Sequence, residues 1–395
     1  MKLYIFNPEN DLALADGGAN YSPPPAALRI AQDLASLPLW FAGKDDAVAL
    51  ANEENHSFRE KVAQCFEVAT GYDKNIRPMI TGIVPWGWSK QLLRRMRAAG
   101  FDDTILPSDD DIAAIRELSN RKSSIRLLRA LAERGIDTPP MPLYFTDSDS
   151  ACAFVSSVPR CVVKAPWSGS GKGIMWGIGH VEEPMRHFCN GIVRRQGGVV
   201  CEYFLEKEVE FAMEFFSGDG GISFAGYSLF TSSKGAYSGN VLAQDCEIER
   251  FISSYIPLDN IRAVREALCE ELQMLVKDCG YKGYLGVDMM IYKDAGRVRL
   301  NPCMELNLRM NMGMVSRIFC DRYMKKGATG RFFVTFYRNE GEAFAKHKAL
   351  TEKYPLVIDN DRVVSGYMEL SLINEHNRYA AYVVVGDSPV EELYI

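Results

Sequence analysis

The chain has 395 residues, of which 47% are hydrophobic and 24% are charged. At ~150 residues per domain this length predicts two or three domains, and the composition excludes disordered, collagen-like and disulfide-scaffold chains. The net charge is −6, from 45 Lys and Arg against 51 Asp and Glu with no block of like charge, so we expect no nucleic acid and no membrane surface as a partner.

Cysteine usage and hydropathy predict where the protein works. Its ten cysteines include no C-x-x-C pair, which is typical of the reduced thiols of a cytoplasmic protein. The first residues do not resemble a signal peptide, and no apolar run approaches the ~18 residues of a membrane-spanning helix. We therefore expect a cytoplasmic multi-domain protein, a class that consists mostly of enzymes.

The N-terminal third alternates short strands with helices. We predict strands at residues 2–6, 39–42 and 83–85, and helices at residues 25–37, 55–65 and 89–99. This alternation is typical of a parallel sheet with helices on its faces. The polar loop at residues 7–11 follows the first strand, where such sheets bind ligands, although a turn that caps a helix explains the loop equally well. Trp86 and Trp88, beside a later strand, suit either a pocket wall or the core.

The rest of the chain mixes strands, hairpins and helices. We predict strands at 161–164 and 199–204, hairpins at 208–230 and 284–306, helices at 112–118, 123–134 and 260–279, and further strands around one helix after residue 332. We divide the chain into an N-terminal α/β domain (1–115), two α+β units (116–200 and 201–330) and a C-terminal α/β addition (331–395). Tyr237, Ser238 and Asn240 form a polar loop that is a candidate cover for a cleft.

A glycine-rich loop follows the strand that ends at Lys164. Its residues are Ser168, Gly169, Ser170, Gly171, Lys172 and Gly173. Glycines let backbone N–H groups approach an anion closely, and the two lysines add the positive charge that phosphates require. Gly173 stands where a Walker A loop has Ser or Thr, and the spacing is not that of a dinucleotide-binding fingerprint. A flexible hairpin tip is the alternative.

Asp288, Glu305 and Asn307 form the second chemical signal. Glu305 and Asn307 are two apart on a predicted strand and share a face, while Asp288 lies on the preceding strand. Carboxylate and amide oxygens are suited to Mg²⁺, and Arg309 is placed to stabilise charge on a transferring phosphoryl group. A solvated hairpin edge is the alternative. A regular hairpin sets Asp288 opposite about Asn301, so pairing with Glu305 requires a bulge near Asn301 and Pro302 or splayed strands.

Taken in order, the strand lysine, the glycine loop and the Asp…Glu-x-Asn set resemble the ATP-grasp superfamily over about residues 120–320. The resemblance implies a fold of mixed class, α/β and α+β. An N-terminal parallel-sheet domain of the pre-ATP-grasp type would precede a two-subdomain ATP-grasp fold that holds ATP between its halves.

The resemblance also implies a role for each matching residue. Lys164 and either Arg121 or Lys122 would contact the phosphates, and the loop from Ser168 to Gly173 would close over them. Glu202 and Tyr203 would lie beside adenine, and Glu210 would bind the ribose. Asp288, Glu305 and Asn307 would bind Mg²⁺ or Mn²⁺, and Lys164 and Arg309 would be the catalytic residues.

Most proteins of this kind are ligases that use ATP. The resemblance implies that a small carboxylate is phosphorylated by ATP and that an amine or thiol then attacks the acyl phosphate, releasing ADP and phosphate. The partners would be small-molecule carboxylate and amine substrates, and a homodimer is compatible with the sequence. Two alternatives stay open, a kinase that phosphorylates a hydroxyl and a nucleotide-binding module without catalysis.

Overall fold

The N-terminal part of the chain forms a parallel sheet with helices around it. The structure is a computed structural model that describes residues 1–169, 173–233, 236–277 and 279–394. The first elements are β1 (Lys2–Ile5), α1 (Asn10–Asp16), α2 (Pro25–Asp33), β2 (Ala47–Val48), α3 (Glu53–Val62), β3 (Thr70–Gly71), β4 (Gly82–Pro85) and α4 (Lys90–Ala98). The strands pair in the order β3-β2-β1-β4, so the predicted α/β character of this part is confirmed.

One predicted strand of this part is wrong. The segment expected as a strand at 39–42 begins instead in a 3-10 helix, Leu37–Trp40, whose residues are all buried. Pro38 has no N–H for a ladder and fixes its own φ, which favours a helical start over a central strand. The sheet uses the short strand Ala47–Val48 instead, which pairs with β1.

A smaller antiparallel sheet follows. Its part of the chain contains α5 (Asp109–Leu118), α6 (Arg121–Glu133), β5 (Leu143–Phe145), α7 (Ser148–Ser157), β6 (Cys161–Lys164), β7 (Ile174–Gly177), α8 (Glu183–Gln196) and β8 (Val199–Tyr203). The strands pair in the order β5-β8-β6-β7. Cys161, Val163 and Cys201 are buried against α7 and α8, so Lys164, one residue beyond Val163, points to the opposite face.

A long antiparallel sheet forms the rest of the molecule. It is built with β9 (Glu206–Gly218), β10 (Gly221–Ser233), β11 (Ala236–Leu242), α9 (Asp245–Ser253), α10 (Leu258–Val276), β12 (Gly283–Asp294), β13 (Arg297–Asn307), α11 (Met312–Tyr323), β14 (Thr329–Phe336), α12 (Glu342–Lys353), β15 (Val357–Asp359), β16 (Arg362–Glu369), β17 (Tyr379–Gly386) and α13 (Val390–Leu393). The order is β13-β12-β9-β10-β11-β14-β17-β16-β15. Strands from the C-terminal residues thus continue the sheet of the preceding unit, and the domain divisions stay predictions.

The two faces of this sheet have different characters. Phe211, Met213 and Val287 point to one face, where α10 packs and the largest hydrophobic core lies. The other face carries the charged side chains of the same strands, because side chains alternate along a strand. Among the described residues, no helix combines the length and apolar character that a bilayer crossing requires.

The hairpin of β12 and β13 contains the bulge that the sequence requires. Met290 pairs with Asn301 and Asp288 pairs with Glu305, so β13 uses four residues where β12 uses two. Pro302 lies in the irregular stretch and lacks the N–H that a regular ladder needs there. The predicted bulge is therefore confirmed, and it brings Asp288 and Glu305 directly opposite each other.

Trp40 joins the N-terminal sheet to the end of the chain. Its indole N–H donates to Leu370 O at 2.6 Å, and its ring contacts Phe66, Phe319 and Tyr323 edge to face. The side chain is completely buried. The cluster is shared by the N-terminal part, α11 and the C-terminal strands, so it connects elements far apart in sequence.

We predict that Trp40→Ala lowers the free energy of unfolding by about 3–5 kcal/mol, because it leaves a large cavity and an unsatisfied carbonyl. Trp176→Ala is the matched control, since Trp176 is 57% exposed, and it should change stability by about 0.5 kcal/mol or less. Urea unfolding of both variants measures the difference. Equal losses would show that the Trp40 cluster does not stabilise the fold.

Candidate active site

Lys164 ends β6 on the open face of the small sheet. Its ammonium is 2.6 Å from the Glu202 carboxylate, and the lysine is only 6% exposed. The pairing register puts Glu202 opposite Val162, two residues before Lys164, so both side chains lie on the same face. Two residues that the sequence assigns to the nucleotide therefore meet at one place.

Arg121 connects the glycine loop to the long sheet. It is the first residue of α6, and its guanidinium donates to Ala165 O, Ser168 Oγ and Glu305 Oε1, each at 2.8 Å. The side chain is 5% exposed, and its Nε has no hydrogen-bond partner among the described residues. Of the two basic residues considered from the sequence, Arg121 lies in the cluster. Lys122 lies instead over the ring of Tyr144, 4.2 Å from its centroid.

The ends of the glycine loop lie close to their neighbours. Gly173 has φ +69°, and a Cβ there would approach the Ser168 Cβ to 2.9 Å. At Gly169 a Cβ would collide with the carboxylate of Asp11. Gly173 therefore needs glycine, whereas a side chain at position 169 would have to displace the Asp11 carboxylate. The predicted loop residues Ser170, Gly171 and Lys172 lie outside the described residues.

Asp288 and Glu305 place two carboxylates side by side on the long sheet. Asn307 donates from Nδ2 to Asp288 Oδ2 at 3.1 Å. Burial, and after it the charge of Glu305, raises the pKa of Asp288 to about 7. Two neighbouring carboxylates repel each other when both are ionised, and a cation removes this repulsion. The set of oxygen ligands therefore fits a hard divalent ion. The described residues contain no group of three or more His, Cys, Asp or Glu arranged for a metal, which makes the Asn307 amide the third candidate ligand.

The clusters on the two sheets face one common space. Cys303 has a buried thiol on β13 and lies close to the charged residues of both sheets. Burial raises the pKa of this thiol, the charges of Asp288, Glu202 and Glu305 raise it further, and Lys164 opposes them. The charged side chains of the small sheet and the long sheet are therefore close neighbours.

Arg309 links this space to the N-terminal sheet. Its Nε and Nη2 each donate to Asp11 at 2.8 Å, a bidentate pair, and its Nη1 donates to Met310 O at 3.1 Å. The next residue, Met310, donates from its backbone N–H to Trp86 O at 2.9 Å. A small cleft opens at this junction. It is lined by Asn10, Asp11, Leu14, Ser119, Trp167, Ser168, Glu305, Leu306, Asn307, Leu308 and Arg309.

Two residues assigned to the nucleotide lie beside the cluster rather than in it. The ring of Tyr203 packs edge to face on Phe154 of α7, with 5.3 Å between the ring centroids. Glu210 accepts hydrogen bonds from Lys207 and Ser232, and its backbone N–H donates to the Tyr394 hydroxyl at 2.7 Å. Glu210 lies on the same face as Asp288, because it is two residues from Ala212, the residue that pairs with Asp288.

The loop expected at Tyr237, Ser238 and Asn240 is wrong, and their role as a cover stays a prediction. These residues belong to β11, and Asn240 is completely buried, where it donates to Ser228 Oγ at 2.7 Å. Tyr and Asn alternating with small residues are compatible with a strand as well as with a loop. The segment is a strand because it pairs with β10 and β14.

The polar N-terminal loop is mainly structural. Asn7 donates to Gly87 O at 2.8 Å and so joins the ends of β1 and β4. Trp86 packs against Phe6 with ring centroids 5.0 Å apart, inside the core rather than along a pocket. Asp11 is the residue of this loop that reaches the charge clusters.

Comparison with known proteins supports the architecture. No family model and no curated protein matches the chain. Biotin carboxylase from Campylobacter jejuni is a similar solved structure, at 12% identity and TM-score 0.53, covering 98% of this chain and 87% of that one. N5-carboxyaminoimidazole ribonucleotide synthetase from Thermus thermophilus is similar at 11% identity and TM-score 0.51, covering 98% and 94%. The Staphylococcus aureus N5-carboxyaminoimidazole synthetase complexed with ADP has 11% identity and TM-score 0.50, covering 99% and 94%.

The chain has the ATP-grasp fold. The recognition made from the order of the motifs is thus confirmed at the level of the fold. In this ATP-grasp fold the small sheet contributes Lys164 and Glu202, and the long sheet contributes Asp288 and Glu305. Sequence identities of 11–12% do not extend the likeness to the reaction or to the substrates.

Glu214 is a charged residue of this ATP-grasp face that sequence reasoning missed. It is 1% exposed, and its Oε2 accepts a hydrogen bond from Asn311 Nδ2 at 2.7 Å. Burial is the main cause that raises the pKa of Glu214 to about 8, and the charge of Asp288 adds to it. A single carboxylate within the apolar run Phe211–Phe216 was the available signal, because a buried charge needs partners.

We predict that Asp288→Asn makes the protein more stable than the parent at pH 8 when nucleotide and divalent ions are omitted. The unfolded chain loses this proton near pH 4 and the folded protein near pH 7, so the parent loses stability as the pH rises between these values. The variant's gain in the free energy of unfolding over the parent should grow between these two pH values to on the order of 2–4 kcal/mol and then stay constant. Asp45→Asn, on the surface, is the control.

Urea unfolding at pH 5 and pH 8 measures this gain. Asp45→Asn should give the same small difference at both values. If Asp288→Asn matched the parent at pH 8, the crowding of Asp288 by Glu305 and by its apolar surroundings would be contradicted.

Proposed function

We propose that the protein is an ATP-dependent ligase that joins a small carboxylate to an amine or thiol through an acyl phosphate. The observation that carries the proposal is the position of Arg121. Its guanidinium bonds both to Ser168 in the glycine loop and to Glu305 in the carboxylate pair. Arg121 thereby fixes the distance between the proposed phosphate-binding loop and the proposed metal-binding carboxylates. Phosphoryl transfer requires such fixed positions.

ATP would lie between the small sheet and the long sheet. Lys164, Arg121 and the loop amides around Ser168 and Gly169 would hold its phosphates, and Ser170, Gly171 and Lys172 complete this loop. Phosphate oxygens accept the same charge-assisted hydrogen bonds that Glu202 and Glu305 accept from these cations. Complexes of similar structures with ADP or a β,γ-ATP analogue support a nucleotide here.

Asp288, Glu305 and Asn307 would hold Mg²⁺ or Mn²⁺ in this proposal. When bound, the ion would neutralise negative charge on the phosphates. The two acidic residues lie opposite each other across β12 and β13, so the sheet itself orients them. The short distance from Asn307 to Asp288 keeps the amide in the same set.

The protein has little covalent chemistry to perform. A carboxylate oxygen of the substrate attacks the γ-phosphorus, the bond to the bridging oxygen breaks, and ADP leaves. The amine nitrogen or thiol sulfur then attacks the acyl carbon, phosphate leaves, and the attacking group gives its proton to water. Arg309 and Lys164 stabilise the negative charge of the transferring group, and the surrounding walls orient the reactants.

The predicted compartment belongs to the same proposal. The ten cysteines without a C-x-x-C pair support a reducing environment such as the cytoplasm. Small-molecule carboxylate and amine substrates belong to the same proposal.

We predict that the parent releases ADP from Mg²⁺–ATP when the correct carboxylate and amine are both present. A pool of small carboxylates and amines, assayed for ADP, tests this. Free phosphate with a new amide or thioester indicates a ligase, whereas a phosphorylated hydroxyl indicates a kinase. No binding at millimolar Mg²⁺–ATP would contradict the nucleotide site itself.

We also predict that Asp288→Asn and Glu305→Gln each lower kcat by on the order of 10²-fold or more, because charge stabilisation worth several kcal/mol is lost. Asp294→Asn is the control, because it makes the same change on the same strand outside the cluster. There the Asp294 carboxylate accepts a hydrogen bond of 2.9 Å from Arg299. That control should keep nearly full activity. Full activity in Asp288→Asn or Glu305→Gln would remove that residue from the site.

A further inference from the structure

Glu214 is a buried carboxyl group without a role in the binding of ATP or Mg²⁺ described above. It lies on the charged face of β9, is 1% exposed, and accepts a hydrogen bond of 2.7 Å at Oε2 from Asn311 Nδ2. Burial of an ionisable group is costly, even where the group has one hydrogen-bond partner. The presence of Glu214 is therefore better explained by what it holds in place than by a contribution to stability.

The pairing register puts Glu214 next to the proposed metal ligands. Glu214 lies opposite Gly286, and Gly286 lies opposite Asn307. Asp288 and Glu305 pair with each other two residues away on the same two strands. Because side chains two residues apart on a strand share a face, Glu214 and Asn307 lie on the same face as Asp288.

Two glycines make room for the Glu214 side chain. A Cβ on Gly286 would lie 2.6 Å from both Glu214 Oε2 and Asn311 Nδ2, so the hydrogen bond between these two groups passes directly over Gly286. On its other side Glu214 meets the first turn of α11, where a Cβ on Gly313 would lie 2.5 Å from Oε1. Glu214 is thus enclosed between the sheet and the start of α11.

The partner of Glu214 ends the segment that carries two of the proposed site residues. The chain leaves β13 at Asn307, passes Arg309 and enters α11 after Asn311. The Asn311 side chain caps α11 with its oxygen and donates to Glu214 with its nitrogen. At the other end of the segment, Asn307 donates to Asp288 at 3.1 Å. Both ends are therefore attached to the sheet, which restrains Arg309 between them.

We propose that Glu214 is a positioning residue of the ligase site, which holds the segment 307–311 through Asn311 so that Asn307 binds the metal ion and Arg309 meets the transferring phosphoryl group. The inference rests on the proposed function, because the metal ion and the phosphoryl group are those proposed there. Glu214 acts through its hydrogen bond rather than through contact with ATP. An amide oxygen in the same place would accept the same bond.

The test measures how much Mg²⁺ tightens the binding of a non-hydrolysable ATP analogue. Calorimetric titration of the full-length protein with and without Mg²⁺ gives this factor. Glu214→Ala should reduce the factor about tenfold or more, because partners that orient metal ligands contribute about 10–100-fold to metal affinity. Binding without Mg²⁺ should stay nearly unchanged. A general loss of structure would instead weaken binding under both conditions.

Further variants separate the hydrogen bond from the charge and from the helix cap. Glu214→Gln keeps an acceptor for Asn311 and should keep the Mg²⁺ effect of the parent. Asn311→Ser keeps an oxygen that caps α11 but is too short to reach Glu214, so it should lose as much as Glu214→Ala. Because both changes remove the same bond, the double variant Glu214→Ala/Asn311→Ser should lose no more than either single variant.

Glu249→Ala and Asn52→Ser are the matched controls. Glu249 is a part-buried carboxylate on α9 that accepts from the Tyr227 hydroxyl at 3.0 Å. Asn52 caps α3 by accepting from Asn55 N–H at 3.0 Å. Each control makes the same chemical change outside the site, so each should keep the Mg²⁺ effect of the parent even where its stability is lower.

The inference is overturned if Glu214→Ala or Asn311→Ser keeps the full Mg²⁺ effect, if Glu214→Gln loses it, or if the two losses add in the double variant. An equal loss in Glu249→Ala would overturn it as well. In each of these cases a parent that binds the analogue more tightly with Mg²⁺ leaves the proposed function standing. A parent that binds no analogue, or binds it equally with and without Mg²⁺, would overturn both.

Discussion

The site depends on a guanidinium buried between two sheets. Arg121 is fixed at the first turn of α6, behind the Asn120 side chain that caps the helix by accepting from Lys122 N–H. Its contacts to Ala165 and Ser168 hold the start of the glycine loop, and its contact to Glu305 holds the carboxylate pair. A buried cation needs acceptors, and those of Arg121 come from the loop and from the long sheet, so one side chain restrains both.

Local features of the fold could be predicted from the sequence because local patterns determine them. The strand before Lys164 was found residue for residue, and the hairpins around Gly218–Gly221 and Asp294–Arg297 were recognisable from turn residues between apolar runs. Counting residues along a regular ladder showed that pairing Asp288 with Glu305 requires a bulge or splayed strands, and the structure contains the bulge. The segment at Leu37–Trp40 failed because a fully buried apolar run has no period that distinguishes a strand from a helical turn.

The site was predictable in its residue types and less so in its partners. The loop, the carboxylates and Arg309 were visible as motifs, whereas the direction in which α6 enters the cluster, which brings Arg121 and not Lys122 to Glu305, was not. Asp11 and Arg309 meet only because the N-terminal sheet docks onto the end of β13. No pattern within one segment contains that information. Glu214 was hidden for a related reason, since its partner Asn311 lies on another element.

The contact between Asp11 and Arg309 also constrains the order in which parts of the protein can form. The two residues are 298 positions apart in the sequence, so the Asp11 carboxylate has no contact with Arg309 until most of the chain has been made. Closing so long a loop is entropically unfavourable and is compensated only when the intervening sheets are already formed. The N-terminal sheet can pair β1 with β4 early during synthesis, within its first hundred residues. The cleft therefore cannot be complete until β13 has been made and its end has joined the N-terminal sheet.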